Sequence, residues 1–518
     1  MTRTRLIVLL VSAALLGVAF LFFRPQAATA PGPAPKVEAA QANNPPKAEL
    51  PPGVELSDVL KAPRPAGGEW LGLYLIDRKV GYSFTQVERV PGRTDQVRSI
   101  NEMVFKATVG SKLSERIHRE ERVYEAKPGG RLLSFVVQQR GDGGEQRLEG
   151  TQTAEGMRVV RKRPGLADEV LTLKATPETV EDADQVRVAL YRKAPVVGSI
   201  MDGMDLESYK VTTTMEPPEE RMVRGVKVRL HKAQTISEKE KVPVMAYLTD
   251  EGEMVEVQFG PMTARAEPEA VAKRMDRVEV FGLTRIVLPK QLPAEARSVP
   301  GRAVMVMTGL PEKFQQDTYR QKFVKLPDGR VEVTLLANPP KPASLKPLPV
   351  TDPEGGENLK STIIVESDNA EIRQLAAKLA GTEKDAYTAA KKIAGWVSAN
   401  LERAYGVSAD RASDVLRQRK GDCTEHSLLT VALLRSAGIP ARRVDGVIYM
   451  VNEDGVPAFY WHEWVEAYVG EWTQMDPTFD QLVADATHFA VGKEGNAEIT
   501  PLIGQLKVLE VRDQPTGK

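Results

Sequence analysis

The stretch from Arg419 to Arg442 holds the only cysteine of the chain, and the pattern around that residue restricts what the C-terminal part can fold into. From Thr424 onward Leu428, Val431, Ala432 and Leu434 recur at helical spacing, Gly438 is a stop signal and Pro440 follows it. Cys423 therefore falls at a predicted helix N-terminus. Unpaired backbone N–H groups and the positive end of the helix dipole favour a thiolate over a thiol there. A cysteine so placed is a candidate nucleophile that still needs a base.

Downstream, Ala458 to Val469 is rich in aromatic and β-branched residues and reads as a strand, with His462, Trp464 and Glu466 on one face. Gly470 marks a turn, and Trp472 to Met475 reads as the partner strand, running into Asp476-Pro477-Thr478. Across such a hairpin, directly or on the diagonal, Asp476 lies close to His462, where a carboxylate holds the imidazole tautomer and stabilises its charged form.

These pieces resemble the transglutaminase-like superfamily, whose papain-like core carries a Gly-Asp-Cys-x-Glu helix start, a histidine on a strand and an Asp-Pro-Thr closing the next strand. Here they read Gly421-Asp422-Cys423-Thr424-Glu425, His462-Glu463-Trp464 and Asp476-Pro477-Thr478. Gly438 to Arg442 and Val444-Asp445-Gly446 also match the family's helix-to-strand connection. Glu463 departs from the pattern, which has a small residue between the histidine and the tryptophan. The resemblance covers roughly residues 357–495. It implies a papain-like α+β domain with Cys423, His462 and Asp476 as catalytic triad, and acyl transfer through a thioester to water or to an amine.

Around this centre, 518 residues leave room for about three or four domains. Lys+Arg and Asp+Glu both number 70, so the formal net charge is zero and no overall basic field points to nucleic acid as a partner. Thr2-Arg3-Thr4-Arg5 precedes 18 almost unbroken apolar residues, Leu6 to Phe23, at the lower length limit of a transmembrane helix. We expect residues 1–24 to be a signal anchor, while Ala28-Thr29-Ala30 also fits a cleavage site. The expected topology is a single pass through the inner membrane with the bulk of the chain on the periplasmic side.

Residues 25–66 are rich in Pro and Ala and read as a partly extended linker. From 67 to 275, short apolar runs such as Trp70 to Ile76 and Leu132 to Gln138 alternate with Gly, Pro and charged turns, as in an antiparallel β-rich domain. A helix is indicated around Thr179 to Lys193. A second β-region runs from 276 to 340, a Pro-rich link covers 341–356, and the catalytic domain occupies 357–518. In that domain, Ser367 or Asp368 is expected to cap a first helix, followed by helices over 385–401 and 413–419.

The other histidines have plainer readings. Cys423 and His426 have Cys-x-x-His spacing, but a structural zinc site takes four protein ligands and no second cysteine exists. No metal or other cofactor is expected. His426 is read as a packing residue or one that supports the site from behind, His488 as structural, and His118 and His231 as ordinary surface or sheet histidines. Trp461, Trp464 and Trp472 are read as core beside the site or as an aromatic wall of the cleft. Asp422 is expected to cap the helix and Glu425 to bond elsewhere, for example to Arg442 or Arg443. The Cys423 N–H is one oxyanion donor, with Gln418 and Trp396 as candidates for the second. Two functions stay open: acyl transfer on protein or peptide amides outside the cytoplasm, or an envelope binding module with a vestigial triad.

Overall fold

The structure is a computed structural model that describes residues 55–512 except 110–111, 142–143, 175, 204–205, 224, 239–241, 340, 405–410 and 494–496. The apolar segment expected to span a membrane lies outside the described residues. Among those residues no helix is long and apolar enough to cross a membrane.

Strands such as Gly156–Lys162 and Ser208–Met215 alternate buried and open positions, the pattern of a sheet with one solvated face. Between Glu69 and Ala266 they build one 15-stranded sheet. It runs from Glu169–Leu173 at one edge back to Glu69–Leu75, which pairs antiparallel with Met262–Ala266, and on to Val196–Met201 at the other edge. The helix expected near Thr179 is present as a 3-10 turn, Val180–Asp184, continuing into Gln185–Arg192. It contributes Val186 to one apolar core and Val188 and Ala189 to another.

The segment from 276 to 340 does not close a sheet of its own. Ile286–Val287 pairs with Pro457–Tyr468 in the C-terminal sheet. Gln321–Lys325, Val331–Leu336 and Arg302–Thr308 form a four-stranded sheet completed by Lys507–Arg512 from near the end of the chain. The second β-region is therefore built together with the C-terminal domain.

That domain is a helical layer on a sheet. Ala370–Ala380 is capped by Asn369, whose side chain accepts from Glu371 and Ile372, rather than by Ser367 or Asp368. Ala386–Asn400 is capped by Asp385, and Ala412–Gln418 follows. All three pack on Cys423–Ser436, the nucleophile helix, in which every residue from Glu425 to Arg435 is buried. A helix apolar on several sides can only sit inside, and here it lies between the other helices and the sheet. The sheet order is Ile286–Val287, Pro457–Tyr468, Ala441–Val451, His488–Lys493, with Trp472–Met475 paired to the other end of Pro457–Tyr468.

Ion pairs join the large sheet to the helical layer. Arg163 binds both carboxylate oxygens of Asp414 at 2.6 and 2.7 Å, and Arg411 meets Glu169 at 3.1 Å and Glu366 at 3.3 Å. Leu429 is fully buried in the core under the nucleophile helix. Leu429→Ala should lower the stability of this domain by about 3 kcal/mol, measured by urea unfolding followed through tryptophan fluorescence.

Candidate active site

The nucleophile helix begins with a reciprocal cap. The Asp422 carboxylate accepts from the Thr424 N–H at 2.8 Å, and the Glu425 carboxylate reaches back to the Asp422 N–H at 3.1 Å. A Cβ on residue 421 would stand 2.2 Å from the Glu425 Cβ, so glycine precedes the cap for lack of room. Cys423 is the first helical residue and is half-buried. His426, one turn on, donates from Nδ1 to the Asp422 carbonyl at 2.7 Å and braces the same cap. Burial pushes its imidazole below the ordinary value.

The sheet supplies the other two groups. His462 stands on Pro457–Tyr468 and donates from Nε2 to Asp476 Oδ2 at 2.8 Å. Asp476 follows Met475, whose strand partner is Val465, which places it on the diagonal towards His462. The nucleophile helix packs on Pro457–Tyr468, and the Cys423 sulfur lies near the backbone of Glu463, the residue next to His462, and within electrostatic reach of Asp476. The three residues expected from sequence therefore converge where the helix N-terminus meets the sheet.

Asp476 is fully buried, and its surroundings account for its charge. Oδ1 accepts from the Thr478 N–H at 2.8 Å and the Phe479 N–H at 3.4 Å, and Oδ2 takes a second imidazole, His488 Nε2, at 3.1 Å. Burial alone would raise this carboxyl, but His462 and His488 outweigh it and hold it well below the usual carboxylate range.

His488, which the sequence suggests is structural, is brought to the site by the fold. Its Nδ1 lies 3.4 Å from Asp485 Oδ1, so the ring bridges two carboxylates. Burial disfavours its charged form, yet Asp476 and Asp485 together raise it above the ordinary histidine value. Asp485-Ala486-Thr487-His488 was the only signal in the sequence, and the link to Asp476 is made by the sheet. His488 belongs to the strand on the far side of Ala441–Val451, and Gly446 sits between the two outer strands, opposite both His462 and Ala490. A Cβ there would meet the Phe489 carbonyl at 2.2 Å and Trp464 Cη2 at 2.7 Å. Glycine lets the Trp464 ring lie over the sheet, 6.0 Å from His462 and edge-on to His488 at 5.1 Å.

The remaining expectations sort themselves by face. Trp464 donates to Gln474 at 3.0 Å beside the site, whereas Trp461 points to the other side and donates to the Thr284 carbonyl at 3.2 Å. Trp472 lies under the Arg442 guanidinium at 3.7 Å. Arg442 pairs with Glu466 and Glu354, and Arg443 pairs at 3.4 Å with Glu463, the residue that departs from the family pattern. Of the two upstream oxyanion candidates, Gln418 is exposed and Trp396 lies beneath Arg419. Far from the site, His231 pairs with Asp250 at 2.5 Å and His118 meets Gln139 at 3.2 Å.

The surroundings of Cys423 work against the expected thiolate. Burial pushes the thiol well above its ordinary value, Asp422, Glu463 and Asp476 push the same way, and the backbone of Glu463 pulls the other way. The helix dipole acts within this group of carboxylates. As for metals, His462, Asp476 and His488 place their ligand atoms within 4.8 Å of one another and could hold an ion. To do so they would give up the N–H donations to Asp476 that order the triad.

The model of the transglutaminase-like superfamily matches residues 373–477, a span that contains all three site residues. This is a transglutaminase-like domain. Among curated proteins, an uncharacterized protein of Mycobacterium leprae is 31% identical over 117 residues, covering 21% of this chain and 42% of the relative. An uncharacterized Haemophilus influenzae protein is 33% identical over 96 residues, covering 18% of this chain and 26% of the relative. The chain thus spans less than half the length of these curated relatives. A solved structure of a candidate cysteine protease from Cytophaga hutchinsonii is 20% identical, with a TM-score of 0.27, covering 42% of this chain and 84% of that one. A β-barrel-like protein of unknown function from Brucella abortus is 13% identical, with a TM-score of 0.28, covering 39% of this chain and 94% of its own. These TM-scores are too low to establish a shared fold.

In the transglutaminase-like domain, His488 has a folded pKa above its unfolded one. Its contribution to stability is complete below about pH 6.5 and is lost as pH rises through the raised folded value. Thermal melts of wild type and His488→Gln should therefore differ most in mildly acidic buffer and converge in alkaline buffer. A difference that does not change with pH would show that His488 is neutral in the folded protein.

Proposed function

We propose that the transglutaminase-like domain transfers acyl groups from protein or peptide amides through a thioester on Cys423, acting outside the cytoplasm. The observation that carries this reading is the buried His462–Asp476 pair at 2.8 Å, set beside a cysteine at a helix N-terminus. Extracytoplasmic placement rests on the basic residues Arg3 and Arg5 followed by the apolar run from Leu6 to Phe23.

The steps follow from the proton positions. His462 Nε2–H is committed to Asp476, which leaves Nδ1 to take the thiol proton as the sulfur attacks the carbonyl carbon. The Cys423 N–H faces the developing oxyanion. Asp476 stabilises the imidazolium so formed, and His462 then returns the proton to the leaving amine as the C–N bond breaks. The thioester passes to water, with His462 as base, or to an incoming amine. Burial and the carboxylates around Cys423 disfavour a standing thiolate, so in this scheme the thiol proton leaves as the attack proceeds.

That raised thiol also favours the competing reading, a binding module with a vestigial site. The two are separated by incubating the full chain with a peptide mixture, with and without a primary amine, and following products by mass spectrometry. Cleavage or amine incorporation should vanish in Cys423→Ala and fall about 1,000-fold or more in Asp476→Asn. Products independent of Cys423, or none under any condition, favour the binding module. Iodoacetamide alkylation of Cys423 should titrate above the ordinary thiol midpoint of about 8.5. A midpoint well below that value would restore the ion-pair description.

A further inference from the structure

We infer that Arg403, assisted by Arg419, makes the cleft select acyl donors that carry a carboxylate close to the scissile carbonyl, an acidic peptide in chemical terms. The inference rests on the reading of Cys423 as the nucleophile and adds the substrate class.

Two short strands place these arginines. Glu402–Arg403 pairs in parallel with Lys420–Gly421, so Arg403 is in register with Gly421, two residues before Cys423. The exposed Arg403 guanidinium lies over the Phe479 ring at 5.6 Å, and that ring lies 5.3 Å from the His462 imidazole. Phe479 is thus an aromatic spacer between the catalytic base and a cation. On the neighbouring strand side Arg419 lies over Trp396 at 4.5 Å.

What sets these two apart is the lack of a carboxylate partner among the described residues. Nearby arginines are matched: Arg163 to Asp414, Arg411 to Glu169 and Glu366, and Arg417 to Asp414. Arg403 and Arg419 form no ion pair among the described residues. The carboxylates on the thiol side are in use, with Asp422 on the helix cap and Glu463 on Arg443. Glu402 lies 3.8 Å from Lys420, and Asp480, next in sequence to Phe479, is exposed. A guanidinium stacked on an aromatic ring keeps its planar set of N–H donors free at the edge, a geometry matched to a carboxylate. Held next to the base, it would dock the acidic group of a donor whose carbonyl faces Cys423.

The test uses two reagents that alkylate the same sulfur and differ in charge. Rates of Cys423 alkylation by iodoacetate and by iodoacetamide are measured on the full chain, for wild type, Arg403→Gln, Arg419→Gln and Asp480→Asn. Arg403→Gln should lower the iodoacetate rate about threefold or more with the iodoacetamide rate unchanged. Arg419→Gln should shift the ratio the same way by less, and Asp480→Asn the opposite way. High salt should compress the differences. An unchanged ratio in Arg403→Gln, or equal changes in both rates as expected of a purely structural arginine, overturns the inference and leaves the nucleophile reading intact. Failure of folded wild type to react with either reagent overturns both.

Discussion

A carboxylate with no exposure to water must be compensated where it stands, and Asp476 is such a group. Two backbone N–H groups from the turn that follows it and two imidazoles from separate strands perform that compensation. The requirement fixes the order of the sheet, because His462 and His488 belong to strands that flank Ala441–Val451. It also fixes Gly446, since any side chain at that point would displace Trp464 or the neighbouring strand. The chemistry at His462 depends on the same charge. An imidazole that must accept a proton during reaction does so more readily when a buried anion waits on its other nitrogen.

The helix N-terminus and the carboxylates around it act in opposite directions on Cys423. The dipole and the Glu463 N–H favour negative charge on sulfur, whereas burial with Asp422, Glu463 and Asp476 disfavours it. In the proposed mechanism the balance is tipped when His462 removes the thiol proton in the presence of an acyl donor. Glu463 is part of this balance. Its charge weakens the thiolate while its pairing with Arg443 ties the histidine strand to Ala441–Val451.

The β-rich part of the chain is tied to the transglutaminase-like domain. Arg163 and Glu169, next to the edge of the 15-stranded sheet, grip Asp414 and Arg411 at the start of the helix that leads to Gly421 and Cys423. Lys507–Arg512 returns from the far end of the chain to complete the sheet of the middle segment. Within the large sheet, Arg122 is held without exposure between Glu120 and Glu178. Breaking such a pair strands a buried charge, so these contacts specify one arrangement of strands.

Local pattern in the sequence was enough to place the nucleophile helix, the histidine strand and Asp476, because capping signals, helical spacing and strand alternation act over a few residues. Cys423, His462 and Asp476 were legible for that reason, as were the helices after Asp385 and near Thr179. His488 was not, since its partner lies 12 residues away and is reached only across an intervening strand. The helix dipole that favours a thiolate is visible in sequence, whereas two of the carboxylates that oppose it, Glu463 and Asp476, come from separate segments. The middle β-region looked independent for the same reason: its partner strands come from beyond residue 440, and no short window of sequence contains both. The sequence by itself determined which residues are candidates for the chemistry. Only the tertiary structure decided their surroundings and their partners, because burial and charge are set by whatever the fold brings alongside.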